Sequence, residues 1–271
     1  MSKNNAGYFR GGIPYNKFGS GPRILVIFQG LLFENKPISG FMAKKFAEMY
    51  DSLNEDYTVF IVTRKPGLPE EYSLADMADD YAKMIKEEFG GPVDVLGVST
   101  GGSIAQHFAA DHPDLVHRLV IHSSAYTLKG SAKEQQMLTG RLARQKKWRA
   151  AYAEMMGVSS LKGAKRLLKP FFLLVSLFGG SIFGRPDDPS DLVITIEAED
   201  KFNFKDRLTE IKAPTLVTAG GKDPFYTEKL FRETAKDIPN ARLILYKGIG
   251  HPASGKQFKK DLKAFLDAEG V

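Results

Sequence analysis

Apolar residues along this chain fall into two spacings. Ile24 to Phe28, Tyr57 to Val62, Val93 to Val98, Leu119 to His122, Leu216 to Ala219 and Leu243 to Tyr246 are short runs of aliphatic and β-branched residues, the pattern of strands buried on both faces. Between them, Ser39 to Tyr50, Leu74 to Phe89, Ser99 to His112, Thr227 to Lys236 and Phe258 to Ala268 repeat apolar residues at helical intervals, several opening with Ser, Thr or a nearby acid. Parallel strands need crossovers, so this alternation predicts an α/β fold with a mostly parallel central sheet and helices on both faces. From Tyr126 to Phe204 the alternation stops. Basic helical stretches there surround Phe171-Phe172-Leu173-Leu174-Val175, and a breaker-rich Arg185-Pro186-Asp187-Asp188-Pro189 follows. Residues 126–204 therefore read as an inserted helical cap on a core made of 1–125 and 205–271. The Asp187, Asp188, Asp191 cluster lacks the glycine and remaining ligands of a calcium loop and reads as a polar linker.

Composition narrows the classes. With 271 residues, 43% hydrophobic and 26% charged, the chain can bury a substantial core. It has no cysteine, which excludes thiol catalysis, disulfides and cysteine-held metals. Met1 to Gly21 is polar and broken by glycines, without the apolar core of a signal peptide. The longest apolar stretch, Phe171 to Phe183, has 13 residues where a membrane span needs about 20. The expectation is a cytoplasmic protein. The net charge of +6 is uneven: Tyr126 to Arg185 holds twelve basic residues against Glu134 and Glu154, or +10, which leaves −4 for the rest. No nucleic-acid motif accompanies this basic segment, so nucleic acid is not expected as a partner; a solvated helical face is favoured over a membrane-docking one.

The chemistry concentrates in three places. Gly97-Val98-Ser99-Thr100-Gly101-Gly102 lies between a strand and a helix and fits a nucleophile elbow, where a serine on a tight turn tolerates only small neighbours. The alternative is a glycine-rich turn before a serine-capped helix. Lysine is missing after Gly102, which excludes a phosphate loop. Of the five histidines, only His251 lies in a glycine-flanked loop after a late strand, Gly248-Ile249-Gly250-His251-Pro252, where a general base would sit. His122 ends a strand at the same sheet edge, a candidate for the pocket wall or for a buried structural role. Asp223 lies just past the strand Leu216 to Ala219, as an acid that orients the base. The order Ser99, Asp223, His251 differs from the orders of both serine-protease types.

With that order the chain resembles the α/β-hydrolase superfamily over roughly Gly7 to Ala125 and Phe204 to Val271. Further carriers are Gly19-Ser20-Gly21-Pro22, His112-Pro113 with Val116-His117-Arg118-Leu119-Val120, and Ile211-Lys212-Ala213-Pro214-Thr215-Leu216-Val217. The resemblance implies an oxyanion hole from two backbone N–H groups, those of Thr100 and, in the loop after the first long strand, Leu31. Two departures stand out. Gln29-Gly30 replaces the family's usual His-Gly, and Thr63-Arg64-Lys65-Pro66-Gly67 replaces its glycine-rich arginine turn.

The resemblance implies a serine hydrolase of the carboxylesterase kind. Ser99 would attack an acyl carbonyl, His251 would take its proton, and Asp223 would hold the imidazole. A serine nucleophile sets the chain apart from relatives of this fold that attack with aspartate. Esters, thioesters, lactones and carbon–carbon bonds remain as substrate classes, with no cofactor and no metal expected. Alternatives are a lipid-directed hydrolase that docks through the basic cap, a lyase or perhydrolase with the same triad, and a binding protein with little turnover. The expected partner is a small ester-like molecule, anionic or apolar. Gln29, Gly30, His122, Trp148, Phe171, Phe172 and Phe178 are candidates for its pocket.

Overall fold

The structure, a computed structural model, describes residues 5–157 and 167–268. Lys162, Lys165 and Arg166 of the expected cap thus lie outside the described residues.

Each run of apolar residues forms a strand: β3 (Arg23–Phe28), β4 (Tyr57–Val62), β5 (Val93–Val98), β6 (Val116–His122), β7 (Thr215–Gly220) and β8 (Ala241–Tyr246). Among the described residues, these pair in parallel in the order β4-β3-β5-β6-β7-β8. Two strands arise where the sequence pattern shows only a polar, glycine-broken terminus. They are β1 (Asn5–Tyr8) and β2 (Pro14–Gly19), an antiparallel hairpin added to β4. Only alternate residues of β2 are buried, so a strand with one covered face produces no continuous apolar run.

Side chains on successive strand positions point to opposite faces, and both faces are covered. Val26 and Phe28 pack with Met77 and Tyr81 of α2 (Leu74–Phe89) and with Ile104 and Phe108 of α3 (Thr100–Asp111). Leu25 and Ile27 pack on the other side with Phe258, Leu262 and Phe265 of α10 (Lys256–Leu266), beside α1 (Gly40–Met49). The start of α2 is fixed by a reciprocal cap. The Ser73 hydroxyl accepts from the Asp76 N–H, and the Asp76 carboxylate accepts from the Ser73 N–H. At α9 (Glu228–Asp237) the cap is one-way, the Thr227 hydroxyl accepting from the Leu230 N–H.

Between β6 and β7 lie α4 (Gly130–Arg144), α5 (Trp148–Met155), α6 (Lys169–Val175), α7 (Gly179–Phe183) and α8 (Ser190–Asp200). Trp148, Tyr152, Leu192 and Ile196 join Phe33 in a small core of their own. The segment around α6 buries little, with Leu167, Phe171, Leu174 and Phe178 all more than half exposed. Asp191 is more than a linker residue: its carboxylate accepts from the Gly67 and Leu68 N–H groups and the Asn35 amide, tying α8 to the loops after β3 and β4. No helix among the described residues is long and apolar enough to cross a membrane.

Packing is tight at the end of β5. A Cβ at Gly101 would stand 2.0 Å from the Phe28 carbonyl oxygen, and one at Gly97 2.5 Å from the Gly101 oxygen. At Gly91 the same Cβ would meet nothing within 4 Å. Gly101→Ala is therefore expected to lower stability by about 3 kcal/mol or more, and Gly91→Ala by less than about 0.5 kcal/mol, in urea unfolding.

Candidate active site

Ser99 occupies the turn from β5 into α3 with φ 52° and ψ −124°, a backbone state that an L-residue enters only under constraint. The constraint is visible. The Ser99 N–H donates to the His122 carbonyl at 3.0 Å, and the Ser99 carbonyl accepts from the Gly102 N–H at 2.7 Å. The turn leaves the serine side chain partly accessible at the carboxyl edge of the sheet.

The base and the acid arrive from the two neighbouring parallel connections. Gly220 lets the ends of β7 and β8 close on each other, since a Cβ there would lie 2.2 Å from the Gly250 carbonyl oxygen. The Lys222 N–H donates to the Ile249 carbonyl at 2.9 Å, locking the Asp223 loop to the His251 loop. His251 Nδ1 then lies 2.7 Å from Asp223 Oδ2, and His251 Nε2 lies 3.0 Å from Ser99 Oγ. A carboxylate only accepts, so the Asp223 contact places the proton on Nδ1 and leaves Nε2 to accept from the serine. The other carboxylate oxygen accepts from the N–H groups of Phe225 at 2.8 Å and Tyr226 at 3.1 Å. Asp223 is thus held on both oxygens with its side chain 1% exposed, and the Phe225 and Tyr226 rings flank the imidazole.

Thr100 is the first residue of α3, and the first N–H groups of a helix have no acceptor within it. The loop after β3 runs alongside: a Cβ at Gly30 would sit 3.2 Å from Ser99 Cβ, so Gly30 lies beside the nucleophile. Arg64, from the turn that departs from the family pattern, braces this loop. Its guanidinium is buried and donates to the carbonyls of Gln29 at 3.3 Å and Gly30 at 3.2 Å. On the opposite side, the buried Glu199 of α8 accepts from Thr100 Oγ1 at 2.6 Å, Ser103 Oγ at 3.2 Å and Gln136 Nε2 at 3.2 Å. Neither Arg64 nor Glu199 stands out in the sequence as part of the site.

Several of the expected pocket residues lie elsewhere. His122 is fully buried beneath the turn, hydrogen-bonded through Nδ1 to Thr218 Oγ1 at 2.7 Å and stacked on Phe258, so it lines no pocket. Gln29 is buried, and Trp148 is packed among the inserted helices. Phe171 and Phe178 face solvent, with Phe172 beside Phe171. Apolar side chains in a helical insertion can face the site, their own layer or water, and periodicity does not separate the three. Gly30, by contrast, abuts the Ser99 side chain. A cleft opens off the loop after β3, with Glu34, Lys36 and Ser39 as well as Met42, Phe46 and Ile182 in its walls, and Ser99, Asp223 and His251 are not part of its lining. Among the described residues, no three His, Asp or Glu side chains are grouped to hold a metal ion.

Burial pushes the His122 imidazole down to about 3, with a smaller contribution from His251. In the unfolded chain it would protonate near 6.5, so below that pH the unfolded state binds the extra proton and is favoured. The native state accordingly loses stability as pH falls from about 6.5 toward 3. In NMR titration the His122 ring protons are expected to stay unshifted from pH 7 down to pH ~4.5; a midpoint above pH ~5.5 would contradict this placement.

Comparison with known proteins agrees with this architecture. The pimeloyl-[acyl-carrier protein] methyl ester esterase of Neisseria meningitidis serogroup C is 27% identical over 180 residues, 63% of this chain and 66% of that enzyme. Its serogroup A counterpart is matched at 27% over 54% of its length, so the chain spans roughly half to two thirds of these relatives. A 2-hydroxy-6-oxononadienedioate/2-hydroxy-6-oxononatrienedioate hydrolase of a Pseudomonas species is 24% identical over 94% of this chain and 90% of its own. Among solved structures, the enol-lactonase of Burkholderia xenovorans LB400 superposes with a TM-score of 0.73 at 18% identity, covering 97% of this chain and 100% of that one. The model of the alpha/beta hydrolase family matches residues 38–256, a span that runs from before the nucleophile turn to past His251, and the chain belongs to that family.

Proposed function

We propose that this chain is a serine hydrolase that cleaves carboxylic esters, thioesters or lactones through an acyl-enzyme. One observation carries the reading: the unbroken hydrogen-bond chain from Ser99 Oγ through His251 to Asp223, set on a strained turn at a helix N-terminus. His251 Nε2 takes the Ser99 proton as Oγ bonds to the acyl carbon. Asp223 keeps the proton on Nδ1 and stabilises the imidazolium that forms. The carbonyl oxygen becomes an oxyanion facing the Thr100 and Leu31 N–H groups, each lowering the barrier by roughly 3 kcal/mol. Collapse expels the alcohol, which receives the proton from His251. Water, deprotonated by His251, then releases the acid and restores Ser99.

The names of the relatives, a methyl ester esterase and an enol-lactonase, support the substrate class. The helices between β6 and β7 act as the cap. A lipid-facing version of the same reaction is favoured by the exposed apolar side chains of Leu167, Phe171, Leu174 and Phe178.

Steady-state kinetics on p-nitrophenyl esters of increasing acyl length test the reading. Ser99→Ala is expected to remove turnover by at least about a thousandfold and Asp223→Asn by about 10⁴-fold, each with an unchanged melting temperature. Turnover that survives in folded Ser99→Ala would refute it. A jump in rate when long-chain ester passes its solubility limit would select the lipid-facing version, and its absence would select dissolved esters.

A further inference from the structure

Glu199 is a carboxylate with no part in the proton transfers above, yet it is fully buried against the nucleophile turn. A buried acid is costly unless its oxygens are satisfied, and here three donors converge on them: Thr100 Oγ1, Ser103 Oγ and Gln136 Nε2. The donors come from two places. Thr100 and Ser103 belong to the first turn of α3, whereas Gln136 is on α4, and Glu199 itself is near the end of α8. One carboxylate therefore joins two helices of the segment between β6 and β7 to α3, the helix that follows Ser99.

The shortest of the three bonds, 2.6 Å, goes to the side chain of the residue whose N–H faces the oxyanion. A threonine at the start of a helix can turn its hydroxyl to nearby backbone groups, which competes with the helix geometry. Donation to Glu199 removes that alternative and fixes the side chain. Arg64 performs the matching service for the other half of the hole by holding the carbonyls of Gln29 and Gly30.

We propose that Glu199 is a positioning residue that fixes the Thr100 end of the oxyanion hole and couples the inserted helices to the nucleophile turn. The inference rests on the acyl-transfer reading of the site. Its contribution belongs to the transition state: the oxyanion forms only after substrate has bound, so a displaced Thr100 N–H lowers kcat and leaves KM nearly unchanged.

The test compares Thr100→Val, Glu199→Ala, Glu199→Gln and the double variant Thr100→Val/Glu199→Ala in ester turnover and thermal melting. Thr100→Val keeps the shape and the backbone N–H but removes the hydroxyl. It is expected to lower kcat about ten- to a hundredfold with KM within about threefold, as for a sub-ångström to ångström displacement. Glu199→Ala is expected to match it, the double variant to be no worse than Glu199→Ala, and Glu199→Gln, which keeps an acceptor, to recover kcat to within about threefold of the parent. If Glu199→Ala does not fold, Thr100→Val and Glu199→Gln decide the matter. Folded Thr100→Val with unchanged kcat, or a loss confined to KM, overturns the inference. Ser99→Ala separates the two levels: if it keeps turnover, the acyl-transfer reading fails; if it loses turnover while Thr100→Val does not, only the role of Glu199 fails.

Discussion

The turn at Ser99 works because three backbone segments approach each other without side chains between them. Gly101 lies against the Phe28 carbonyl, Gly97 against Gly101, and Gly30 against Ser99. The ends of β3 and β5 can then meet the start of α3, and the serine is forced to a positive φ with its side chain outward. The stability of the rest of the sheet holds this strain in place. β5 is buried along its whole length between β3 and β6, so a local relaxation of the turn would disturb the centre of the core. The same close approach recurs at Gly220, where the loops of Asp223 and His251 are brought together. Distance across the site is thus set by backbone contacts, which are stiffer than side-chain packing.

Electrostatics around the turn follow from burial. Arg64, Glu199 and His122 are all removed from water within reach of Ser99, and each is managed differently. His122 is kept neutral by its burial and bonded to Thr218. Glu199 is surrounded by hydroxyl and amide donors that oppose the upward push of burial on its carboxyl. Arg64 uses backbone carbonyls of the loop it supports. Polar groups buried this way favour one arrangement of the backbone, because another would break the hydrogen bonds that offset their burial. Asp223 belongs to the same scheme, with two N–H groups on one oxygen and the imidazole on the other.

Much of this was legible in the chain. Strands buried on both faces appear as apolar runs, and α2 is bounded at the residues its pattern indicates, because Ser73 with Asp76 and Gly90 mark its ends. Ser99, Asp223 and His251 were readable because each lies at a strand end in a glycine-rich context that few other functions require. The β1–β2 hairpin was not, since β2 buries only alternate positions and leaves no continuous apolar run. The roles of Arg64 and Glu199 were hidden for another reason: a charged residue near a strand end or on a helix is normally solvated, and its burial depends on elements far along the chain. The pocket was least legible. Whether Trp148, Phe171 or Phe178 faces a substrate depends on how the inserted helices dock, and the structure places the first in a local core and the other two in water.

The central claim is that the fold activates one serine. Incubation with a small fluorophosphonate followed by intact and peptide mass measurement addresses it without assuming any substrate. A single adduct confined to the peptide that contains Ser99, and missing in Ser99→Ala, is the predicted result. Folded protein that stays unmodified, or that carries the adduct on another residue, would contradict the account.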